Sequence, residues 1–531
     1  MSRATGGRPP AYAGALEIES KYSVHGLFRL PDLSAAARVA PRPTVTLTAT
    51  YYDTDDLRLA RSGVSLRRRV GGSDEGWHLK LPAGGPGSRE ELRMPLAAAA
   101  DGAAPPAELL DLVTALARRA PVRPVATLRT QRTPYDITAL EGAAAPCAEL
   151  VDDTVEILDG ADVVGMFREL ELELAPDAVE SAQARGTAAD VGSALVAAGA
   201  LGGTFLSKSA RALGPRAARP PEVLAPGEVG PDDPAGAAVQ AFIATQVRAI
   251  AAQDPRVRRG QPDAVHQMRV ACRRLRSALK VFEPLVEPTW SRPLREELGW
   301  LAGALGAARD GEVLEERLLA ALAALPDTAD AAAGAAVVHR ALDARLVDAL
   351  AEALAALRSD RYLTLLDVLV DAAREPLLNE AADAPCHAAL PPLVAKAWRR
   401  LARDVDALEI DGHDEAWHET RIAAKRARYA CDSVAPALGA PARQLAKQLE
   451  VVTELLGEHQ DASIAAETLR ELAHTGRVSG RAGFTLGLLH AAQREAVHTA
   501  RLRLVAAWPE VSRPDGLRWL KTRGTKARHG R

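Results

Sequence analysis

Cysteine is scarce: Cys147, Cys272, Cys386 and Cys431 are the only four in 531 residues, and none forms a Cys-x-x-Cys pair. That is too few to staple so long a chain, and it suits a reducing, cytoplasmic setting. Aromatic residues make up only 4%, so interiors must be packed by aliphatic side chains and alanine. No Gly-Lys dipeptide occurs, which excludes a Gly-x-x-x-x-Gly-Lys-[Ser/Thr] phosphate loop, and no His-Glu-x-x-His occurs, which excludes zinc hydrolases of that kind. Long apolar runs are missing too. Residues 195–206, interrupted by Gly199, Gly202 and Gly203, cover about half of a bilayer span, so no membrane partner is expected. Residues 1–15 lack the apolar stretch of a signal peptide and are expected to be a disordered leader. Finally, there is no excess of one charge: 66 Lys and Arg face 69 Asp and Glu, a net charge of -3. A basic coat for nucleic acid is therefore not expected, and any anion site must be a local cluster.

The length predicts more than one domain. Residues 214–233 are rich in proline and glycine, without helical or alternating pattern, and are expected to be a linker. Upstream, over 16–213, eight short runs alternate with period 2 and predict strands. Downstream, over 234–508, long Ala/Leu/Arg stretches repeat with helical spacing and predict an all-α region, followed by a basic tail at 509–531.

The strand region carries charge in an unusual way. Residues i, i+2 and i+4 share a face of a strand. Glu17, Glu19 and Lys21 therefore lie together, as do Ser65, Arg67 and Arg69, and Glu169, Glu171 and Glu173. For one strand, a solvated outer face explains this. Several strands with nearly one sign each call instead for a bound partner, since like charges at close range repel. Glu17, Glu19, Glu171 and Glu173 offer the hard oxygen ligands that Mg²⁺ or Mn²⁺ prefer. Arg67, Arg69, Lys80, Arg89, Arg129 and Arg132 offer donors for phosphate oxygens. A closed or nearly closed barrel would bring the two sets together.

The helical region contains an internal repeat. His266, Arg269, Arg273 and Arg276 match His418, Arg421, Lys425 and Arg428, and each set is followed by a Leu-Gly-x-x-x-Asp element ending at Asp310 or Asp461. At roughly 100° per residue, each set forms one basic stripe along a helix, with Arg274 and Arg426 about 100° off its axis. Four like charges on one face need an anion or neighbouring carboxylates. Asp310 and Asp461 are expected as helix caps by default, with orienting the basic residues as the alternative. Lys396, Arg399, Arg400 and Arg403 form a third patch for which plain solvation suffices, and Cys272 and Cys431 suit small core positions.

Glu17-Ile-Glu19-Ser-Lys21 resembles the Glu-x-Glu-x-Lys signature of the CYTH superfamily, the triphosphate tunnel metalloenzymes. Further elements follow in order: Tyr51-Tyr52-Asp53-Thr54 with Leu57 and Gly63, Leu66-Arg67-Arg68-Arg69, His78-Leu-Lys80-Leu-Pro82, Arg89-Glu90-Glu91, residues 149–153, Glu169/Glu171/Glu173, and Ser207-Lys208-Ser209-Ala210-Arg211. The resemblance implies an eight-stranded antiparallel β tunnel with flanking helices. It implies Glu17, Glu19 and Lys21 as catalytic residues, and Glu17, Glu19, Asp153, Glu171 and Glu173 as the metal side for Mg²⁺ or Mn²⁺. Asp153 shares phase with Glu149, and a strand irregularity would exchange it for Asp152. Lys21, Arg67, Arg69, Lys80, Arg89, Arg129, Lys208 and Arg211 are implied as phosphate ligands. Arg132 is out of phase with Arg129 and stands outside that set. The paired His-x-x-Arg and Leu-Gly-x-x-x-Asp segments resemble the CHAD domain, an all-helical module of two repeated four-helix units. That implies polyphosphate binding at His266, Arg269, Arg273, Arg276, His418, Arg421, Lys425 and Arg428.

The expected fold class is α+β multidomain. The expected activity is metal-dependent hydrolysis of inorganic triphosphate or short polyphosphate, in the cytoplasm and at polyphosphate granules. A non-catalytic polyphosphate-binding protein and an adenylate cyclase or other nucleotide enzyme of the same tunnel family stay open. Tyr51, Tyr52 and Trp77 are the aromatics that keep a nucleotide in play.

Overall fold

The computed structural model describes residues 12–83, 88–99, 104–141, 145–203, 207–326, 329–475 and 478–521, with the side chains of 13, 15–18, 329 and 475 outside that description. They form two compact units that divide between Glu222 and Val223.

The first unit is built on ten strands: β1 (Ala13–Val24), β2 (Arg38–Pro41), β3 (Val45–Asp53), β4 (Ser65–Val70), β5 (Gly76–Pro82), β6 (Ser88–Met94), β7 (Arg123–Thr138), β8 (Ala148–Asp159), β9 (Asp162–Leu174) and β10 (Leu201–Gly202). Eight of them pair in the order β1-β6-β5-β4-β3-β7-β8-β9, and β9 pairs back onto β1. Every pairing is antiparallel, so the sheet closes into a barrel and its ring leaves no edge unpaired. β2 extends β7, and the two-residue β10 extends β1.

Alternation decides what faces in. On β9, Leu170, Leu172 and Leu174 are buried on the outside, while Glu171 and Glu173 line the interior and Glu169 shares their phase. This barrel is therefore apolar outside and charged inside, and helices must cover its outer face. Five short or medium helices belong to this unit: α1 (Arg58–Arg61), α2 (Ala107–Leu112), α3 (Thr114–Ala117), α4 (Ala182–Ala197) and α5 (Lys208–Leu213). α4 begins at Ser181, whose hydroxyl accepts from the Ala184 amide at 3.3 Å. It buries Val191 and Leu195 in the cluster with Leu170 and Leu172, about 1.5–3 kcal/mol for each large side chain. Gly192 makes that approach possible, because a Cβ there would come within 2.3 Å of the Tyr22 hydroxyl. A second outer core joins Leu66, Trp77, Leu79 and Leu92 to Leu109 and Leu112 of α2. Asp53 is buried at the end of β3, where it accepts from the amides of Thr54, Leu59 and Ala60 at 2.7–3.0 Å and so anchors α1. Ala49, Tyr51, Leu128 and Val155 cluster with Phe167 and with Ala212 of α5.

The second unit is helical: α6 (Ala235–Arg258), α7 (Ala264–Val281), α8 (Pro288–Ala323), α9 (Ala329–Leu357), α10 (Asp360–Arg374), α11 (Cys386–Asp406), α12 (Asp414–Leu438), α13 (Ala440–Thr475) and α14 (Gly480–Val511). α6 to α9 and α11 to α14 are two four-helix units, each packed in sequential pairs, with α10 between them; α7 and α12 cross-pack. α6 is long and apolar enough to cross a membrane, yet it packs on α7, α10 and α12 and buries Val239, Ile243, Val247 and Ile250. Pro288 opens α8, where a missing amide costs nothing, and Gly439 closes α12 at φ 74°. The start of α12 is locked by Arg501 of α14. Its guanidinium donates to the carbonyls of Ile410 and Gly412 at 2.6 and 2.9 Å and pairs with Asp414, above Trp417, which stacks on His459 at 5.3 Å. That lock sets the rotation of α12 and hence the direction of its stripe.

Candidate functional site

A cavity of about 660 Å³ occupies the barrel. Its two sides differ in sign. Arg67 and Arg69 of β4, Lys80 of β5, and Arg89 and Arg93 of β6 line one side; Glu19 of β1, Glu149 of β8, and Glu171 and Glu173 of β9 line the other. Register explains the acidic row, since Glu19 lies opposite Glu173 across β1 and β9, and Glu173 lies opposite Glu149 across β9 and β8.

Each side carries internal counter-charges. Lys21 donates to Glu171 at 2.5 Å and lies 3.3 Å from Glu19. The Lys208 ammonium of α5 sits 2.9 Å from Asp153, 2.8 Å from Glu169 and 2.8 Å from Glu171. Arg132 forks onto Asp153 at 2.6 and 2.8 Å and reaches Glu171 at 3.2 Å. Burial works against charge here, but Lys208, Lys21 and Arg132 outweigh it and hold the Glu171 carboxyl well below its usual range. Asp153 is lowered in the same way by Lys208 and Arg132 against its burial. On the basic side, Glu91 is buried at 1% exposure and accepts from His78 at 3.0 Å and Arg67 at 3.4 Å. Burial brings His78 down to about 4, so it stays neutral. Arg69 falls to about 9 through burial beside Arg67 and Arg132.

The helical unit brings the two stripes together. Arg269 donates to both oxygens of Asp310 at 2.8 and 3.3 Å, its guanidinium lying over Gly306, where a Cβ would stand 3.4 Å away. Arg276 lies over Gly299 in the same fashion. In the second copy His418 meets Gln460 at 2.6 Å, and Arg428 reaches Glu450 and Thr453. Burial together with Arg273 and Arg421 pushes Lys425 down to about 6. Arg421 is lowered by burial, and by Arg273 and Arg269 against Asp461 and Asp310. Burial and the nearby Arg309 lower His266 as well. Cations from α7 and α12 thus share one field.

The CYTH domain family matches residues 15–186 and the CHAD domain family matches residues 241–470. An uncharacterised protein of Mycobacterium tuberculosis is 36% identical over 534 residues, covering 94% of this chain and 96% of its own length. The chain belongs to the family that joins a CYTH domain to a CHAD domain. Among solved structures, PptA from Streptomyces chartreusis is 29% identical and covers 52% of this chain and 100% of its own, with a TM-score of 0.47. The CHAD domain from the plant Ricinus communis is 26% identical and covers 53% of this chain and 95% of its own, with a TM-score of 0.42. The CYTH family includes triphosphatases and adenylate cyclases and is generally divalent-metal dependent, and CHAD is associated with polyphosphate binding.

The CYTH cavity gathers Glu19, Lys21, Arg67, Arg69, Lys80, Arg89, Glu171, Glu173 and Lys208. Glu17 lies on β1 opposite Arg89, and its side chain is outside the described residues. Several expectations are corrected. Arg129 faces outward, opposite Thr48 and paired to Glu156 at 2.6 Å, whereas Arg132, three residues on and opposite Val45, points in. The three-residue offset puts the two on opposite faces. Arg211 does not line the cavity; it pairs with Glu169 at 3.3 Å and lies 3.8 Å over the Phe167 ring. Asp153 has the inward phase but is fully buried under Arg132 and Lys208, while Asp152 faces out to Arg168. Asp310 and Asp461 sit in the middle of α8 and α13, so they are not caps but the carboxylates that face the stripes. Arg42 and Arg93 line the cavity and were missed; for Arg93 the phase it shares with Arg89 was the available signal.

Among the described residues no three His, Cys, Asp or Glu side chains converge as a cage. Mg²⁺ does not need one. It keeps several waters and takes phosphate oxygens beside one or two carboxylates, and the facing Glu19 and Glu173 fit that role. Glu171 and Asp153, each held by both Lys208 and Arg132, do not, whereas Glu19 lies 3.3 Å from Lys21.

Proposed function

We propose that the CYTH domain hydrolyses inorganic triphosphate or short polyphosphate with Mg²⁺ or Mn²⁺, and that the CHAD domain binds polyphosphate. The observation that carries this reading is the closed barrel cavity with a basic and an acidic wall. Phosphoryl transfer to water asks a protein mainly for positioning and charge neutralisation. Arg67, Arg69, Lys80, Arg89, Arg93 and Arg132 would grip the phosphate oxygens, and Glu19 and Glu173 would hold the metal. The metal, when bound, supplies charge neutralisation at the scissile phosphate and a more acidic water. Tyr51 is the one aromatic lining this cavity among the described residues, and it bonds to Arg67. Tyr52 and Trp77 are packed 5.2 Å apart in the outer core, which leaves Tyr51, bound to Arg67, as the ring at the cavity among the described residues. That favours an inorganic substrate.

In the CHAD domain, His266, Arg269, Arg273, Arg276, His418, Arg421, Lys425 and Arg428 would hold the polyanion. Tethering would present it at roughly millimolar effective concentration. The cysteines are all unpaired and buried, in keeping with a reducing cytoplasm; association with polyphosphate granules would follow from the ligand proposed for the CHAD domain.

The test is phosphate release from inorganic triphosphate, with Mg²⁺ or Mn²⁺ and after chelation, for the wild type and for Glu19→Gln with Glu173→Gln. Release that needs metal and is lost in the double variant is expected. Folded wild type that retains polyphosphate but releases no phosphate would make this a binding protein.

A further inference from the structure

A second cavity, of about 310 Å³, lies within the helical unit, among α6, α7, α12 and the segment before α6. Pro226, Val229, Phe242 and Pro436 give it apolar walls. Two side chains of opposite charge also line it: Arg274 of α7, off the axis of the basic stripe, and Asp432 of α12. The two are close enough to feel each other's charge, yet they do not bond. The buried Arg274 Nε and Asp432 Oδ2 have no hydrogen-bond partner among the described residues.

A buried polar atom left without a partner is costly, and two on side chains of opposite charge lining one cavity invite a ligand that meets both. A simple anion would satisfy Arg274 but stand against the Asp432 carboxylate; a simple cation would meet the reverse conflict. A molecule carrying both charges on a short frame resolves it, and the apolar walls ask for a hydrocarbon body beside those charges. The volume suits a body of that size, at the small end of ligand pockets, which begin at about 300 Å³.

We propose that this cavity binds a free amino acid with an apolar side chain, its carboxylate on the Arg274 guanidinium and its ammonium on the Asp432 carboxylate. The side chain lies against Phe242 and Val229. Burial raises the Asp432 carboxyl above its usual range, with Arg274 and Arg428 opposing the shift and Glu450 adding to it. An ammonium beside it would favour its charged form. This site is independent of the polyphosphate reading, since none of the stripe residues lines it.

Calorimetric titration of the full-length protein with L-alanine, L-valine, L-leucine and L-phenylalanine tests the proposal. 3-Methylbutylamine and 4-methylpentanoate, leucine's body with one charge each, serve as controls. At least one amino acid should bind, each single-charge analogue at least about tenfold more weakly than leucine, and Arg274→Gln and Asp432→Asn should each weaken binding at least about tenfold. Ala241→Leu, which fills the cavity without touching its charges, should abolish binding with the unfolding temperature retained. This variant keeps the proposal open to refutation if the charge variants fold poorly. No binding of any of the four at millimolar concentration overturns the proposal. So does equal binding of the analogues, or binding that survives Ala241→Leu.

Discussion

Lys208 of α5 places one ammonium 2.8 Å from Glu171, 2.8 Å from Glu169 and 2.9 Å from Asp153. A six-residue helix thus neutralises carboxylates from two strands at once, and the acidic wall depends on it. Lys208→Met would leave those buried carboxylates one cation short. The expected cost is about 3–5 kcal/mol, seen as a lower urea midpoint for the CYTH domain; an unchanged midpoint would show that the cluster does not stabilise the barrel.

The same cluster sets an acid limit. Glu171 and Asp153 are depressed in the folded protein, from unfolded values of about 4.3 and 3.9. Their contribution is therefore present above those unfolded values and is lost as pH falls through the depressed folded ones. CYTH stability followed by circular dichroism should hold near neutrality and decline below about pH 4. Glu171→Gln should flatten that decline.

Arg129 and Arg132 offer a paired test of strand phase. Arg132→Gln removes a buried cation next to the cavity and should lower kcat/KM for triphosphate by roughly a hundredfold, the size of losing one charge-assisted, transition-state contact. Arg129→Gln removes a surface pair with Glu156 and should stay within about twofold. Equal losses would mean that both side chains reach substrate.

Lys425, near 6 through burial, Arg273 and Arg421, is largely neutral at pH 7 without ligand. A bound polyanion favours its charged form, so binding takes up a proton. Affinity should fall as pH rises from about 6 toward the bound-state value, by up to about tenfold per unit. Titrations in buffers of different ionisation enthalpy should report uptake near pH 7 that Lys425→Met removes.

Asp310 pairs with Arg269 at 2.8 Å, so under the proposed function it would compete with polyphosphate for that guanidinium. Asp310→Ala should tighten binding by roughly twofold to tenfold and steepen its salt dependence by about one ion, because one more cation is available to phosphate. Weaker binding would show that Asp310 orients Arg269 instead of occupying it.

Much of this was legible locally. Period 2 at Leu170, Leu172 and Leu174 against Glu169, Glu171 and Glu173 already assigned two faces to β9, and helical spacing placed His418, Arg421, Lys425 and Arg428 on one stripe. What failed was whatever needed a second element. Arg129 and Arg132 could not be ranked from their own strand, because which phase points inward depends on the partners at Thr48 and Val45. For Asp310 and Asp461 the default of caps lost to the alternative of carboxylates facing the basic residues, because helix length, set by packing against α9 and α14, carried α8 and α13 far past them.

Sequence alone therefore determined the two domain types, the repeat and the sign of charge on each face, since these follow from residue order and the geometry of single strands and helices. Only the tertiary structure decided which carboxylates Lys208 and Arg132 hold. Closure of β9 onto β1 and the seating of α5 bring Lys208 and Arg132 onto Asp153 and Glu171 but set Glu19 opposite Glu173. Charges far apart in the chain interact strongly only once folding has brought them within a few ångströms and excluded the water between them.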